Sequence, residues 1–505
     1  MDTGSPAGAR TLWELVARRA ALSPDAPMLL DERDRRLTFG GFAAAAERVA
    51  AGLHGLGVGA GSRVTWQLPT RVETVVVSAA LARLGAVQNP VIPVHRDREV
   101  GFALRQTDAE FYLSPGDWRG FDFTAMARRL EAPRVLEAYT ALPEGDPSSL
   151  PPPPEAAEGG QVRWIYYTSG TTSDPKGVLH TDRSLIAGGT CLASALGLGA
   201  DDIGSIAFPY AHIGGPDYLV TLLLHGFPSL LIERFALPDA LDAYRRHGVT
   251  TAGGSTAFYS AFLAEQRKLP EGTRLLPSLR LLAGGGAPKP PELYHEVVHE
   301  LGCALAHGYG MTEAPMITMG SPHDTVEQLA HTEGRPPAAM EIRIVDGEIR
   351  LRGPAVCQGY TDPALTAEAF DDEGFFRTGD LGHLRPDGHL VLTGRLKDVI
   401  IRKGENISAK EIEELLYRHA RIGDAAVIGL PDPARGERVC AVVEQPEGAP
   451  ALTLAEIVEY LEGAGLMRQK IPEQLEIVEA LPRNETLRKV LKHKLRERFA
   501  GRPWP

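Results

Sequence analysis

Hydrophobic periodicity switches back and forth along the N-terminal part of the chain, up to about residue 140. "LTFGGFAAAAERVAAGLHGLG" carries apolar residues at helical spacing and closes on glycine. "SRVTWQL" reads as a strand, and "RVETVVVSAALARLGAVQNPV" as a helix followed by a strand. A strand, a helix and a second strand in succession return the backbone in the same direction, so this alternation predicts an α/β fold with a largely parallel sheet. Proline and glycine then dominate "LPEGDPSSLPPPPEAAEGG", Leu142 to Gly160. It reads as a long surface loop rather than a linker, because the α/β pattern resumes after it.

From Glu341 the pattern changes. "EIRIVDGEIRLRG" predicts a β-hairpin turning at Asp346-Gly347, and "HLRPDGHLVLTG" a second one at Asp387-Gly388, which together suggest an antiparallel, β-rich subdomain. After Gly394 comes a compact α+β unit. Ser408 and Glu411 have capping-box spacing before a helix that places Ile412, Leu415, Leu416 and His419 on one face. Strands "AAVIGL" and "RVCAVVE", a helix, a strand "LEIVEAL" and a basic terminal helix follow.

A chain of 505 residues exceeds what one hydrophobic core supports, so two or more domains are expected. Its formal net charge of -12 argues against a general nucleic-acid or anionic-membrane binder. The basic run "RKVLKHKLRER" (Arg488 to Arg498) reads as a solvated helix face. Cys191, Cys303, Cys357 and Cys440 lie too far apart for a zinc or redox motif and are expected as buried thiols. The N-terminus lacks the basic start and apolar core of a signal peptide, and no apolar run is long enough to span a bilayer, so a cytoplasmic location is expected.

The chemistry concentrates in "YYTSGTTSDPKGVLH", Tyr166 to His180. Strand "VRWIYY" leads into it, and a helix is expected near "TDRSLIAGG". A loop between strand and helix presents free backbone N–H groups and a positive helix end to an anion. Thr168, Ser169, Thr171 and Thr172 add hydroxyls, Gly170 and Gly177 allow close approach, and Lys176 supplies charge. It is not a Walker A loop, since Pro175 precedes the lysine and Gly177 follows it. By itself such a stretch is little more than a polar turn.

Further motifs follow in order. "HGYGMTEA" offers Tyr309 for stacking on a base, Thr312 as a phosphate donor and Glu313 as a hard oxygen ligand suited to Mg²⁺. Asp380 in "FRTGDLG" can accept from vicinal ribose hydroxyls. "TGRLKDVIIRKGENISAKEIEE" supplies Arg395 and a bend at Gly404, and "LLAGGGAPK" a wall of small residues. Each alone has a bland explanation in packing or turn formation; the combination, in this order, does not.

That order resembles the adenylate-forming superfamily of acyl- and aryl-CoA synthetases, peptide-synthetase adenylation domains and beetle luciferases, from about Thr11 to Phe499. The resemblance implies a large N-terminal domain of two parallel-type sheets plus the β-rich subdomain (residues 1–394), a hinge at 395–397 and a small mobile α+β C-terminal domain (398–505). It also implies roles. Thr168, Ser169, Gly170, Thr171, Thr172 and Lys176 hold the outer phosphates of ATP; Gly285, Gly286, Ala287, His307 and Tyr309 surround adenine, with Gly308, Gly310 and Met311 in the same nucleotide-binding turn. Thr312 meets the α-phosphate, Glu313 the Mg²⁺, and Asp380 and Arg395 the ribose. Lys397 is the hinge, and Gly404 lies beside the path of the pantetheine arm of CoA.

Two departures stand out. Ser173 replaces a usual glycine in the phosphate loop. In "LPRNETLRKVLKHKL" the usual Gly-Lys is absent: aligned from the helix, Lys489 is the catalytic lysine, whereas counted from Leu481-Pro482-Arg483 that position falls on Arg488. The helix register favours Lys489. In "FPYAHIGGPDYLV", His212 matches the residue at the mouth of the acid pocket, while Asp217 is out of register with the aspartate that holds the amine in amino-acid-activating relatives.

The implied reaction joins a small-molecule carboxylic acid to AMP and passes the acyl group to CoA, the acid being aliphatic, alicyclic or aromatic. "NPVIPVHRDREVGFALRQ" also resembles bacterial ligases for short-chain or cyclohexane-type carboxylates. An acyl carrier protein is the alternative acceptor, and a nucleotide-binding protein with a decayed catalytic loop is the non-enzymatic alternative. A homodimer is compatible with either.

Overall fold

The structure, a computed structural model, describes residues 5–140, 142–168, 175–287, 289–403, 405–433, 435–446, 448–484 and 488–501. Five of the residues singled out above, Ser169, Gly170, Thr171, Thr172 and Gly404, lie outside the described residues, as does Ser173.

Two large sheets build the N-terminal part. The first runs, in spatial order, Lys176–Thr181, Val162–Thr168, Val87–Pro90, Arg63–Trp66, Phe111–Ser114 and Val135–Glu137, parallel except for the outer strand Lys176–Thr181. The second begins with Arg36–Thr38, Pro27–Asp31, Ser229–Leu231 and Gly204–Ile206. The Thr251 N–H donates to Ile203 O at 3.1 Å and carries it on to Thr251–Gly254, Leu281–Gly285, Ala304–Met311 and Ala314–Met319. A single hydrophobic core joins the sheets. It holds Trp66 and Trp164 from the first, Met28, Leu231 and Leu281 from the second, and the inner faces of helices Leu12–Leu22, Phe39–Gly55 and Val72–Leu84. Helix Val72–Leu84 is buried all round from Thr74 onward, which accounts for its richness in valine, alanine and leucine on every face.

The proline-rich stretch is a loop held to this domain, not a linker. Gly145 N donates to Arg48 O at 2.9 Å, Arg83 donates to Pro151 O at 3.0 Å, and the next strand rejoins the same sheet.

Residues beyond Met340 form a four-stranded antiparallel sheet of Glu341–Val345, Glu348–Arg352, Phe376–Leu384 and Leu390–Arg395. Asp346 and Gly347 both take positive φ (51° and 82°), the tight two-residue turn expected. The second hairpin is looser than expected. Its loop spans residues 385–389, closed by Arg385 N to His389 O at 2.8 Å, and only Gly388 takes positive φ.

The last sheet comprises Glu405–Ser408, Val399–Arg402, Gly436–Glu444 and Asp424–Asp432, with Gln474–Val478 parallel to Gly436–Glu444. Ser408 caps helix Ala409–Tyr417, but the expected capping box is half formed: Glu411 binds Lys470 at 2.6 Å instead of reaching back. His419 falls beyond that helix. In the basic run, Lys492 pairs with Glu413 and Arg496 with Asp398, while Leu495 and Phe499 are buried, so the face is ion-paired rather than merely solvated. All four cysteines are buried and free. Among the described residues no helix is long and apolar enough to cross a membrane.

Candidate active site

The stretch expected as a strand–loop–helix element is a hairpin. Val162–Thr168 pairs antiparallel with Lys176–Thr181, and the helix Asp182–Leu196 starts only after the second strand, capped by Thr181. The reason lies in Val178, Leu179 and His180, whose alternating burial suits an edge strand. The start of the helix therefore lies a whole strand beyond Lys176. Thr168 and Lys176 are directly opposed across the hairpin and both half-buried.

Three backbone hydrogen bonds dock this hairpin onto the segment after the antiparallel sheet's second strand: Leu179 N to Gly359 O at 2.9 Å, Gln358 N to Leu179 O at 2.8 Å and Thr361 N to Gly177 O at 2.8 Å. The docking places Lys176 Nζ 5.1 Å above the Tyr360 ring. Tyr360 in turn donates its hydroxyl proton to Glu313 Oε1 at 2.8 Å. Burial raises the Glu313 carboxyl above the usual range, against the Tyr360 hydrogen bond and the charge of Lys176. Next to it, the buried His180 donates from Nε2 to the Thr312 carbonyl at 2.7 Å, and burial lowers that imidazole to about 4, so it stays neutral.

On the other side, Tyr309 donates to Asp380 Oδ2 at 2.6 Å, while Arg395 Nε meets Asp380 Oδ1 at 2.8 Å. Asp380 and Arg395 are cross-strand partners of one sheet and Tyr309 lies in a strand of another, so the contact locks two sheets together. The small-residue wall lines up beside them. Gly285 pairs with Gly308, and a Cβ at Gly285 would lie 2.4 Å from Gly308 O, so only glycine permits that approach. Gly286 takes φ 81°, Ala287 accepts from His307 Nε2 at 3.0 Å, and His307 Nδ1 has no partner among the described residues. Gly310 and the half-buried Met311 complete the strand that delivers Thr312 and Glu313.

The C-terminal unit contributes Lys489. Its backbone is clamped to Asn484, N–H to Oδ1 at 2.9 Å and O from the Asn484 N–H at 2.9 Å, with Leu491 N donating to Pro482 O at 2.7 Å. Arg488, at φ 57°, turns outward and is exposed, its carbonyl held by Arg483. The terminal helix starts at Lys492, so the Asn484 clamp, rather than helix register, sets the direction of Lys489. Burial first, then Arg395 and Lys397, against Asp380 and Glu313, hold the Lys489 ammonium down to about 8. Burial first, and then the same ammonium, lowers His212 to about 4. One lysine thus stands among Arg395, Lys397, Asp380, Glu313 and His212. Lys397 itself lies exposed in the short turn Leu396–Asp398 between the antiparallel sheet and the last one.

The AMP-binding enzyme profile matches residues 16–361, and the profile of the AMP-binding enzyme C-terminal domain matches residues 411–488. The chain belongs to the AMP-binding enzyme family. This AMP-binding enzyme is 34% identical to the salicyl-AMP ligase / salicyl-S-ArCP synthetase of Mycobacterium tuberculosis, over 94% of its own length and 88% of that protein. It is 30% identical to the medium-chain fatty-acid–CoA ligase of Escherichia coli, over 96% and 89%. Its fold overlays the crystal structure of ATP-bound MatB from Rhodopseudomonas palustris with a TM-score of 0.86 at 26% identity, covering 98% and 99% of the two chains.

Residue reading alone passed over Tyr360, His180 and Asn484. Tyr360 lies 47 residues from the carboxylate it holds, and His180 lies 132 from the carbonyl it orients. Neither separation leaves a local signal.

Proposed function

We propose that this enzyme activates a carboxylic acid by joining it to AMP from ATP, with release of pyrophosphate, and then transfers the acyl group to the thiol of CoA. The observation that carries the reading is Lys489, brought by the C-terminal unit into the neighbourhood of Asp380, Glu313 and His212. A carboxylate and a phosphate repel each other, and a half-buried ammonium between them offsets that repulsion where it is strongest. Little covalent chemistry then falls to the protein; its part is positioning and charge.

Asp380, already held by Tyr309 and Arg395, presents a fixed carboxylate to the ribose hydroxyls. Tyr309 and the Gly285–Ala287 wall flank the base. Thr168, Lys176 and the loop residues Ser169 to Thr172 grip the outer phosphates, and Thr312, its carbonyl fixed by His180, faces the α-phosphate. Among the described residues no three His, Cys, Asp or Glu side chains converge as a metal cage. A single buried carboxylate, Glu313, suits Mg²⁺, which is held by one or two carboxylates with substrate phosphates and water. When bound there, Mg²⁺ neutralises charge on the leaving pyrophosphate.

His212 accepts the Gly214 N–H on Nδ1 at 3.2 Å, which leaves the proton of the neutral ring on Nε2. That N–H is the donor it offers at the pocket mouth. For thioester formation, the Arg395–Lys397 segment acts as hinge between residues 1–394 and 398–505, withdrawing Lys489 and bringing in the part of the chain that holds Gly404.

A second acceptor has a specific observation behind it, since the relative from M. tuberculosis is named for loading a carrier protein. Trapping acyl-AMP with hydroxylamine across a panel of acids, then offering CoA or a phosphopantetheinylated carrier protein, tests the reading. Hydroxamate from at least one acid and thioester with CoA are expected. Thioester on the carrier alone would reassign the acceptor, and no hydroxamate from any acid would sink the proposal.

A further inference from the structure

We propose that the acid activated here carries a hydrogen-bond donor, a hydroxyl or an ammonium group, at the end remote from its carboxylate, and that Asp217 receives it. The inference rests on the carboxylate-activating reading above.

Asp217 lies in the first turn of helix Gly214–His225, five positions past His212. It makes no capping bond there and no ion pair among the described residues, and its Oδ1 is buried with no hydrogen-bond partner. The residue keeps 2% of its surface open. Its neighbours are small or apolar. A Cβ built on Gly188 would lie 2.6 Å from Oδ1 and 3.1 Å from Pro315 Cβ, so the bare backbone at Gly188 forms one wall and Pro315 adjoins it. The buried Cys191 thiol is close enough to feel the carboxylate.

A second orphan stands nearby. The Tyr166 hydroxyl is buried without a partner, and its ring is close enough to Asp217 to feel its charge. Tyr166 packs edge-on against His180, 6.4 Å between ring centres, and His180 holds the Thr312 carbonyl. Pro315 follows Glu313 by two residues. Both orphans therefore back onto the segment that carries Thr312 and Glu313, Tyr166 through His180 and Asp217 beside Pro315.

A buried polar atom left unpaired is costly, and native interiors contain few. An aliphatic side chain at position 217 would fill the same space without that cost. A carboxyl there makes sense when something from outside the chain brings a donor. Burial lifts the Asp217 carboxyl to about 8, so at neutral pH it can share hydrogen bonds with a hydroxyl, or ionise against an ammonium. An unsubstituted acid leaves Asp217 and Tyr166 unsatisfied; a suitably substituted one does not.

The test is acid-dependent ATP–pyrophosphate exchange on matched acids. Benzoate is compared with its 3- and 4-hydroxy and 3- and 4-amino derivatives, and octanoate with its ω-hydroxy and ω-amino derivatives. The wild-type enzyme should favour at least one substituted acid over its parent in kcat/KM, on the order of 10- to 100-fold. Asp217→Leu should erase or invert that ratio. Asp217→Asn distinguishes the donors, keeping a hydroxyl preference and losing an ammonium one.

Parent acids used as well as every substituted one by wild type would overturn the inference while leaving the activation reading intact. A preference unaltered by Asp217→Leu would overturn it too. Exchange with no acid at all would remove both. Should Asp217→Leu fail to fold, as judged by its melting and ATP affinity, the wild-type comparison still decides.

Discussion

Tyr309 donates its phenolic proton to Asp380 across 71 residues of sequence, at 2.6 Å, and thereby fixes the carboxylate that Arg395 holds from the other side. A carboxylate restrained on both oxygens loses little freedom when it binds a diol. Asp380→Asn keeps the shape and removes the charge. The KM for ATP should rise about 10- to 100-fold, the worth of a charged hydrogen bond, with the KM for the acid little changed. Steady-state kinetics with ATP varied checks this; an unaltered KM for ATP contradicts the ribose contact.

Lys489 and Arg488 separate by substitution. Lys489→Ala should lower acyl-AMP formation on the order of 10²–10³-fold or more and spare thioester synthesis from supplied acyl-AMP. Arg488, exposed and turned away, should tolerate alanine in both half-reactions. The opposite pattern would return the catalytic position to Arg488.

The depressed ammonium predicts a pH dependence with a definite sign. Lys489 is charged below about 8 and neutral above it, in the field of Arg395, Lys397, Asp380, Glu313 and His212. The charged form is the one that bridges two anions, so adenylation kcat/KM should be full below that value and fall as pH rises through it. Lys489→Arg should carry its charge to higher pH and remove the alkaline limb, at whatever activity it retains. An alkaline limb unchanged in Lys489→Arg assigns it to another group.

Glu313 and Tyr360 form a buried pair whose removal is asymmetric. Tyr360→Phe leaves a buried carboxylate without its donor and should cost about 1–3 kcal/mol of stability, read by denaturant unfolding. Glu313→Gln removes the charge instead. Acyl-AMP formation should fall on the order of 10²–10³-fold, and added Mg²⁺ should not restore it. Recovery at high Mg²⁺ would mean that Glu313 only tunes affinity for the ion.

Much of this architecture was legible from residue order. The period switches before residue 140 correspond to strands Arg63–Trp66 and Val87–Pro90 around helix Val72–Leu84, and Asp346-Gly347 forms the tight turn its residue types demand. What misled were features whose outcome depends on distant partners. The phosphate stretch ends in an edge strand because Gly177 and Leu179 pair with Thr361 and Gly359, nearly two hundred residues on. Glu411 had capping spacing, but Lys470 claimed its carboxylate. The direction of Lys489 comes from Asn484, a loop contact that helix periodicity does not encode. Asp217 is out of register with the amine-holding aspartate of relatives, and its isolation depends on Gly188 and Pro315, which lie far from it in sequence.

The central claim is that this chain makes a carboxylic acid reactive by linking it to AMP, and exchange of labelled pyrophosphate into ATP measures the reversal of that step directly. Exchange that appears only when a carboxylic acid is present, and disappears in Lys489→Ala, is the predicted result. Exchange independent of any acid, or retained in full by Lys489→Ala, would contradict it.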